Sequence, residues 1–228
     1  MNRSRQRHEK LAAASDPKSP IAEAYRTLRT NIQFASIDKE LKTLMVTSTG
    51  PEEGKSTTIS NLAIVTAQSD LNVLLVDADL RKPTVHHTYL VSNQKGLSTV
   101  VAGRDSFDDA VSETNVENLW VIPSGPIPPN PAELLNSVRM DSFIREAKER
   151  FDMVLFDAPP VLAVTDAQVL AAKVDGTILV IKAGSTPREQ AAKAKAQLLN
   201  VKANLLGAVL NSKDMKREGD FYYYYGVS

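Results

Sequence analysis

TSTGPEEGKSTT, running from Thr47 to Thr58, is the stretch whose reading decides the fold. Before it stands Leu44-Met45-Val46, an apolar run that predicts a buried strand. After it stands Ile59-Ser60-Asn61-Leu62-Ala63-Ile64-Val65, which predicts a helix with an apolar stripe. A strand, a glycine-containing loop and Gly-Lys-Ser at the start of a helix form the layout of a phosphate-binding P-loop. Successive backbone N–H groups there point inward, joined by the unsatisfied donors and positive dipole end of the helix. Gly54 lets the backbone approach a phosphate with no Cβ in the way. Lys55 can reach terminal phosphates, and the Ser56 hydroxyl can ligate Mg²⁺. The expected nucleotide-binding set is Thr49, Gly50, Glu53, Gly54, Lys55, Ser56 and Thr57, with Asn211 added below. One departure stands out. The strict pattern G-x-x-x-x-G-K-[ST] wants glycine at position 49, and this chain has Thr49, with Gly50 one place later.

Working outward, Val73-Leu74-Leu75-Val76 predicts a second strand, running into Asp77-Ala78-Asp79-Leu80-Arg81-Lys82-Pro83. An apolar run without alternation is what a parallel strand buried on both faces looks like. Asp77 and Asp79 are two apart, so in an extended chain they point the same way. They leave the C-terminal end of the strand, where open α/β sheets place ligands. Two carboxylates this close repel unless a cation lies between them, and Mg²⁺ on nucleotide phosphates supplies one. A pair of exposed aspartates in a turn is the plainer alternative. Met153-Val154-Leu155-Phe156 followed by Asp157 has the form of a Walker B strand, with Asp157 near the metal. Ser56, Asp79 and Asp157 are thus the candidate metal set, and Lys55, Asp77 and Asp79 the candidate catalytic set.

Further strands are expected at residues 119–122, 176–181 and 205–210. Asn211 follows the last of these, where its amide can pair with a purine edge or simply end the strand. Helices are expected after Asn130-Pro131, at residues 138–150 and at 187–199, with a short one near 96–101. Ser19 caps another, with Pro20 at its first position and Ile21, Tyr25, Leu28 and Ile32 on one face. Glu23, Arg26 and Arg29 step by three along a second face, a spacing that a surface Glu–Arg pair would explain. The fold class is α/β: a P-loop NTPase three-layer fold with a mostly parallel central sheet and helices on both faces. Residues 1–18 are expected to be a flexible basic arm, 19–211 the domain, and 212–228 a flexible tail carrying Tyr222, Tyr223, Tyr224 and Tyr225.

The 228 residues suit one such domain and carry formal net charge zero, so no global field favours nucleic acid or membrane. The absence of cysteine excludes disulfides and thiolate metal sites. The apolar runs are too short to span a bilayer, and MNRSRQRHEK has no apolar core of a signal peptide, so a cytoplasmic protein is expected.

With TGPEEGKST, VLLVDADLRKP, MVLFDAPP and the tyrosine run in hand, the chain resembles the bacterial tyrosine kinases, or BY-kinases. More closely, it resembles the separate cytoplasmic kinases of Gram-positive exopolysaccharide and capsule systems, over nearly everything from Ser19 to Tyr225. The resemblance implies an ATP- and Mg²⁺-dependent protein-tyrosine kinase that autophosphorylates Tyr222 to Tyr225. It assigns Lys55 and Ser56 to Walker A, Asp77 and Asp79 to Walker A′, and Asp157 to Walker B. Glu23, Arg26 and Arg29 match the family's oligomerisation helix, E-x-x-R-x-x-R, which implies a homo-oligomeric ring in which one subunit's tail enters a neighbour's site. It implies further protein substrates, no nucleic-acid partner, and a membrane activator whose cytosolic tail recruits the kinase to the inner face of the membrane. Asp77 is the candidate to accept the tyrosine proton or orient the hydroxyl, and its role is not separable here from that of Asp79. Two other readings compete. Deviant-Walker ATPases that position DNA or division machinery share the fold, but carry a signature lysine where this chain has Gly50. A nucleotide-dependent scaffold whose tyrosines are only targets is the third.

Overall fold

The computed structural model describes residues 11–35 and 41–212. In the elements used below, α1 is Ala12–Ser15, α2 Pro20–Ala35, β1 Thr43–Ser48, α3 Lys55–Ala67 and β2 Val73–Asp77. They continue with α4 Val85–Tyr89, α5 Leu97–Val101, α6 Phe107–Ala110, β3 Ser112–Glu113, β4 Leu119–Ile122, α7 Pro131–Asn136 and α8 Val138–Arg150. The last are β5 Met153–Asp157, α9 Asp166–Ala171, β6 Gly176–Lys182, α10 Arg188–Asn200 and β7 Leu205–Asn211. One seven-stranded sheet runs in the order β3-β4-β2-β5-β1-β6-β7. All neighbours are parallel except the short antiparallel β3 at one edge, which the sequence reading missed. The three-layer α/β expectation therefore holds.

β1 and β2 are buried along their whole length, and β5 nearly so, because crossover helices cover both faces of a parallel sheet. Two core clusters result, one on each face. Met45, Leu74, Val154, Phe156 and Leu179 lie on one side, and Leu44, Val46, Leu75, Leu155 and Ile178 on the other. β2 and β5 pair in a register that sets Asp77 opposite Asp157. Two carboxylates thereby meet at the C-terminal ends of adjacent strands.

α3 departs from the single apolar stripe expected of it: every residue from Thr58 to Ala67 is buried. The sheet covers one side, and α2 with residues 11–15 covers the other. For residues 11–18 this corrects the expected flexible arm of 1–18, and residues 1–10 lie outside the described residues. Leu11 and Ala13 are only 3% and 0% exposed. The Ala13 amide donates to Asn61 Oδ1 at 2.9 Å, and Asn61 Nδ2 donates to the Thr57 carbonyl at 2.9 Å. Burial of a short apolar stretch outweighs its polar neighbourhood. Arg3, Arg5, Arg7 and Lys10 lie outside the described residues, as do Tyr222, Tyr223, Tyr224 and Tyr225. At the start of α2, Ser19 acts as expected, its hydroxyl accepting the Ala22 amide at 3.2 Å.

Candidate active site

The loop between β1 and α3 opens into a cleft of about 670 Å³. Gly54, Lys55, Ser56 and Thr57 form one wall, and Asp79, Lys82, Thr84 and His87 another. Gly54 has φ +92°, and a Cβ added there would lie 2.0 Å from Asn211 Nδ2. Only glycine fits both the conformation and the space. Gly50 has no such need, since its added Cβ would meet nothing nearer than Glu53 Oε1 at 3.7 Å. The departure at Thr49 has a local account. The Thr49 amide donates to Glu53 Oε2 at 2.8 Å. Glu53 Oε1 accepts the Thr186 hydroxyl, and the Glu53 carbonyl accepts Asn211 Nδ2 at 2.9 Å. Glu53, though expected at the nucleotide, therefore braces the loop from inside and is 7% exposed. Thr49 supports that brace, while Thr57 faces the cleft.

The acidic groups meet below the loop. Lys55 Nζ lies 2.8 Å from Asp79 Oδ2 and 3.2 Å from Asp157 Oδ1, with Ser56 Oγ at 3.3 Å. Burial works against the ammonium charge of Lys55, but Asp157 and Asp79 outweigh it and hold its pKa above the usual value. Asp77 is fully buried. Its Oδ1 accepts the Asp79 amide at 3.2 Å, and its Oδ2 accepts the amides of Thr84 at 2.8 Å and Val85 at 2.9 Å, at the start of α4. Burial and the charge of Asp157 push the Asp77 carboxyl up to about 7, against the pull of those amides. Burial also raises Asp157, although Lys55 opposes it. Asp79 lines the cleft and Asp77 does not, a distinction the sequence reading left open.

These residues fit a divalent cation on chemical grounds. Asp79 and Asp157 share the Lys55 ammonium, with the buried Asp77 beside Asp157, and Asp157 Oδ2 is buried with no hydrogen-bond partner among the described residues. Mg²⁺ is ordinarily held by one or two protein groups, water and substrate phosphates. Ser56, Asp79 and Asp157 match that pattern. Among the described residues no group of three or more His, Cys, Asp or Glu side chains forms an all-protein metal cage.

The residues expected at an oligomer interface have partners within the chain. Arg26 pairs with exposed Glu23 at 3.0 Å and donates to the Pro17 carbonyl at 2.7 Å. One terminal nitrogen of Arg29 donates to the Val65 carbonyl of α3 at 2.6 Å. Sequence reasoning missed Thr186, whose link to Glu53 spans 133 positions and leaves no local signal. It also missed Arg81 and Asp166, although Arg81 lies within the quoted motif.

A family described as an AAA domain matches residues 42–201. The tyrosine-protein kinase YwqD of Bacillus subtilis is 50% identical over 98% of this chain and 94% of its own. The solved kinase domain of the Escherichia coli tyrosine kinase ETK has a TM-score of 0.87 at 36% identity, covering 95% of this chain and 84% of that one. The chimerical protein CapA2B2 has a TM-score of 0.85 at 37% identity, covering 88% of each chain. The septum site-determining protein MinD of Pyrococcus horikoshii, with TM-score 0.64 at 23% identity over 75% of this chain and 70% of that one, shares the fold alone.

Proposed function

The chain belongs to the family of bacterial tyrosine-protein kinases, and on that premise we propose that it transfers the γ-phosphoryl group of ATP to its own Tyr222, Tyr223, Tyr224 and Tyr225. The observation that carries the reading is Lys55, held between Asp79 and Asp157 at the mouth of a glycine-turned loop. Phosphoryl transfer is chiefly positioning and charge neutralisation. The backbone amides of residues 54–57 and the Lys55 ammonium hold the β- and γ-phosphates. Ser56, Asp79 and Asp157 would hold Mg²⁺, which when bound supplies positive charge to the phosphate oxygens. The tyrosine oxygen bonds to the γ-phosphorus as the bond to the bridging oxygen of ADP breaks. Its proton passes to the Asp77–Asp79 pair. Asp79 is the member that lines the cleft, and the buried Asp77 carboxylate holds the Asp79 amide behind it. Asn211 commits its amide nitrogen to Glu53, which leaves its carbonyl oxygen to accept from the exocyclic amine of adenine.

The reading extends to assembly. Glu23, Arg26 and Arg29 of α2 face a neighbouring subunit in a ring, so that the tail from residue 212 onward is phosphorylated in trans. No helix among the described residues is long and apolar enough to cross a membrane. A membrane-anchored activator with a cytosolic tail holds the kinase at the inner face, where it regulates exopolysaccharide or capsule synthesis and phosphorylates further proteins on tyrosine. The likeness to CapA2B2, a chimera, supports an activator partnership.

The experiment is phosphopeptide mapping of purified protein with ATP and Mg²⁺, comparing wild type with Lys55→Met. Wild type should carry phosphotyrosine on the tail, and Lys55→Met should lose it by orders of magnitude while staying folded. Phosphate release stimulated by DNA or membrane without phosphotyrosine would instead support a positioning ATPase. The sequence weighs against that outcome, since Gly50 stands at the signature-lysine position.

A further inference from the structure

Arg81 follows Asp79 by two residues, and the mechanism above gives it no task. Its guanidinium forks Asp166: Nε lies 2.9 Å from Oδ2, and a terminal nitrogen 3.1 Å from Oδ1. The Asp166 side chain is 0% exposed and that of Arg81 43%. A bidentate fork fixes orientation as well as distance. Breaking it would strand a buried carboxylate, which is costly.

The two residues come from the segments that follow the two acidic strands, β2 and β5. Arg81 lies on the turn that follows β2. Asp79 Oδ1 accepts the Lys82 amide at 3.0 Å, so that turn carries Asp79 and Arg81 as one unit. Asp166 opens α9, at the end of the segment that leaves β5 at Asp157. The fork therefore ties the segment after Asp79 to the segment after Asp157. It also occupies a cation that lies close in sequence to Asp79. Freed from Asp166, Arg81 could turn toward Asp79 and compete with a metal ion for its charge.

We propose that Arg81 and Asp166 are a positioning pair for the metal site, setting Asp79 against Asp157 and keeping the Arg81 guanidinium off Asp79. This rests on the reading of Asp79 and Asp157 as metal-holding carboxylates. Neither Arg81 nor Asp166 lines the cleft.

The test measures ADP binding to full-length protein by calorimetry, with Mg²⁺ and with EDTA, for wild type, Arg81→Lys, Asp166→Asn and Asp166→Glu. The quantity of interest is the gain in affinity that Mg²⁺ confers. Groups that orient metal ligands are typically worth about 10- to 100-fold in metal affinity, so Arg81→Lys and Asp166→Asn should each lose at least about 10-fold of that gain. Their affinity in EDTA should stay within about 2-fold of wild type, because the loop and Lys55 are untouched. Asp166→Glu keeps the charge and should recover part of the gain. Should Asp166→Asn fail to fold, Arg81→Lys decides, since it leaves a cation beside Asp166. An unchanged Mg²⁺ gain in the variants overturns the proposal. So does an equal loss with and without Mg²⁺, which would mean general damage to the fold. If wild type itself gains nothing from Mg²⁺, the metal-site reading falls and takes this pair with it.

Discussion

Asn211, the last residue of β7, donates its side-chain amide to the Glu53 carbonyl at 2.9 Å across 158 positions of sequence. The end of the sheet is thereby latched onto the phosphate loop. The Asn211 amide fills the space above Gly54, so the loop's tightest point is set by a residue far away in the chain.

That geometry separates two glycines that look equivalent in the motif. Gly54→Ala puts a methyl group 2.0 Å from Asn211 Nδ2 at a positive φ. It should displace Asn211 or distort the loop and abolish measurable nucleotide binding. Gly50→Ala meets only Glu53 Oε1 at 3.7 Å and should bind nucleotide nearly as wild type does. Binding of a fluorescent ADP analogue decides it. Equal losses in the two variants would contradict the account of the loop.

A second prediction concerns Asp175, which joins the start of β1 to the start of β6. It accepts the amides of Lys42 at 3.1 Å and Thr43 at 2.8 Å, the Thr43 hydroxyl at 2.8 Å and the Lys148 ammonium at 3.1 Å. Burial alone would raise its carboxyl, but Thr43 and Lys148 outweigh burial and hold the pKa below the ordinary value. A folded-state pKa that is depressed means stability present above the unfolded value, near 3.9, and lost as pH falls through the folded value. Asp175→Asn should therefore cost about 1–2 kcal/mol at pH 7. The gap to wild type should close in the acid range below the folded pKa. Urea unfolding at neutral and acid pH measures it, and a gap that widens on acidification would reverse the assigned sign.

How far the site could be read in advance follows from the range of each interaction. Asp77, Asp79 and Asp157 were legible because an apolar run ending in an acidic residue places that residue at the mouth of a parallel sheet. Gly54-Lys55-Ser56 was legible because the positive φ at Gly54 is a local backbone demand, even though the space there is closed by the distant Asn211. Thr186 on Glu53 and Arg81 on Asp166 were not, since those pairings arise only when the sheet is assembled. Leu11 and Ala13 were misread for a related reason. Their burial depends on the outer face of α3, which the stripe pattern of residues 59–65 represents as solvated. The division between Asp77 and Asp79 likewise required the amides of Thr84 and Val85.

Assembly supplies a third prediction, which the structure sharpens. Among the described residues Arg26 holds only an exposed partner and the Pro17 carbonyl, whereas Arg29 anchors α2 to α3 through the Val65 carbonyl. Exposed ion pairs contribute little, so Arg26→Ala should leave protomer stability nearly unchanged. If α2 builds the ring, Arg26→Ala should still lower the mass seen by light scattering. Arg29→Ala should lower both the mass and the melting temperature. Wild-type mass in both variants would return Glu23, Arg26 and Arg29 to a purely intramolecular role.

The last prediction joins the tail to the ring. Tyr222 to Tyr225 follow the domain by a charged segment, so a neighbouring active site can present itself at high effective concentration within one assembly. Each phosphate added brings about −1.5 to −2 charges at neutral pH. Asp77, Asp79 and Asp157 already crowd one ammonium, and Lys55 is engaged with two of them. A tail carrying several phosphates on adjacent residues meets like charge there and should leave. The ring should then loosen, because the tail no longer bridges subunits. Mass measured on one preparation before and after ATP–Mg²⁺ tests this, with Tyr222, Tyr223, Tyr224 and Tyr225 all replaced by Phe as the control. Wild type should shift toward monomer while the Phe variant stays assembled. A phosphorylated wild type as oligomeric as the Phe variant would refute the switch and leave the kinase reading standing, because that reading rests on transfer to the tail and not on what the tail does afterwards.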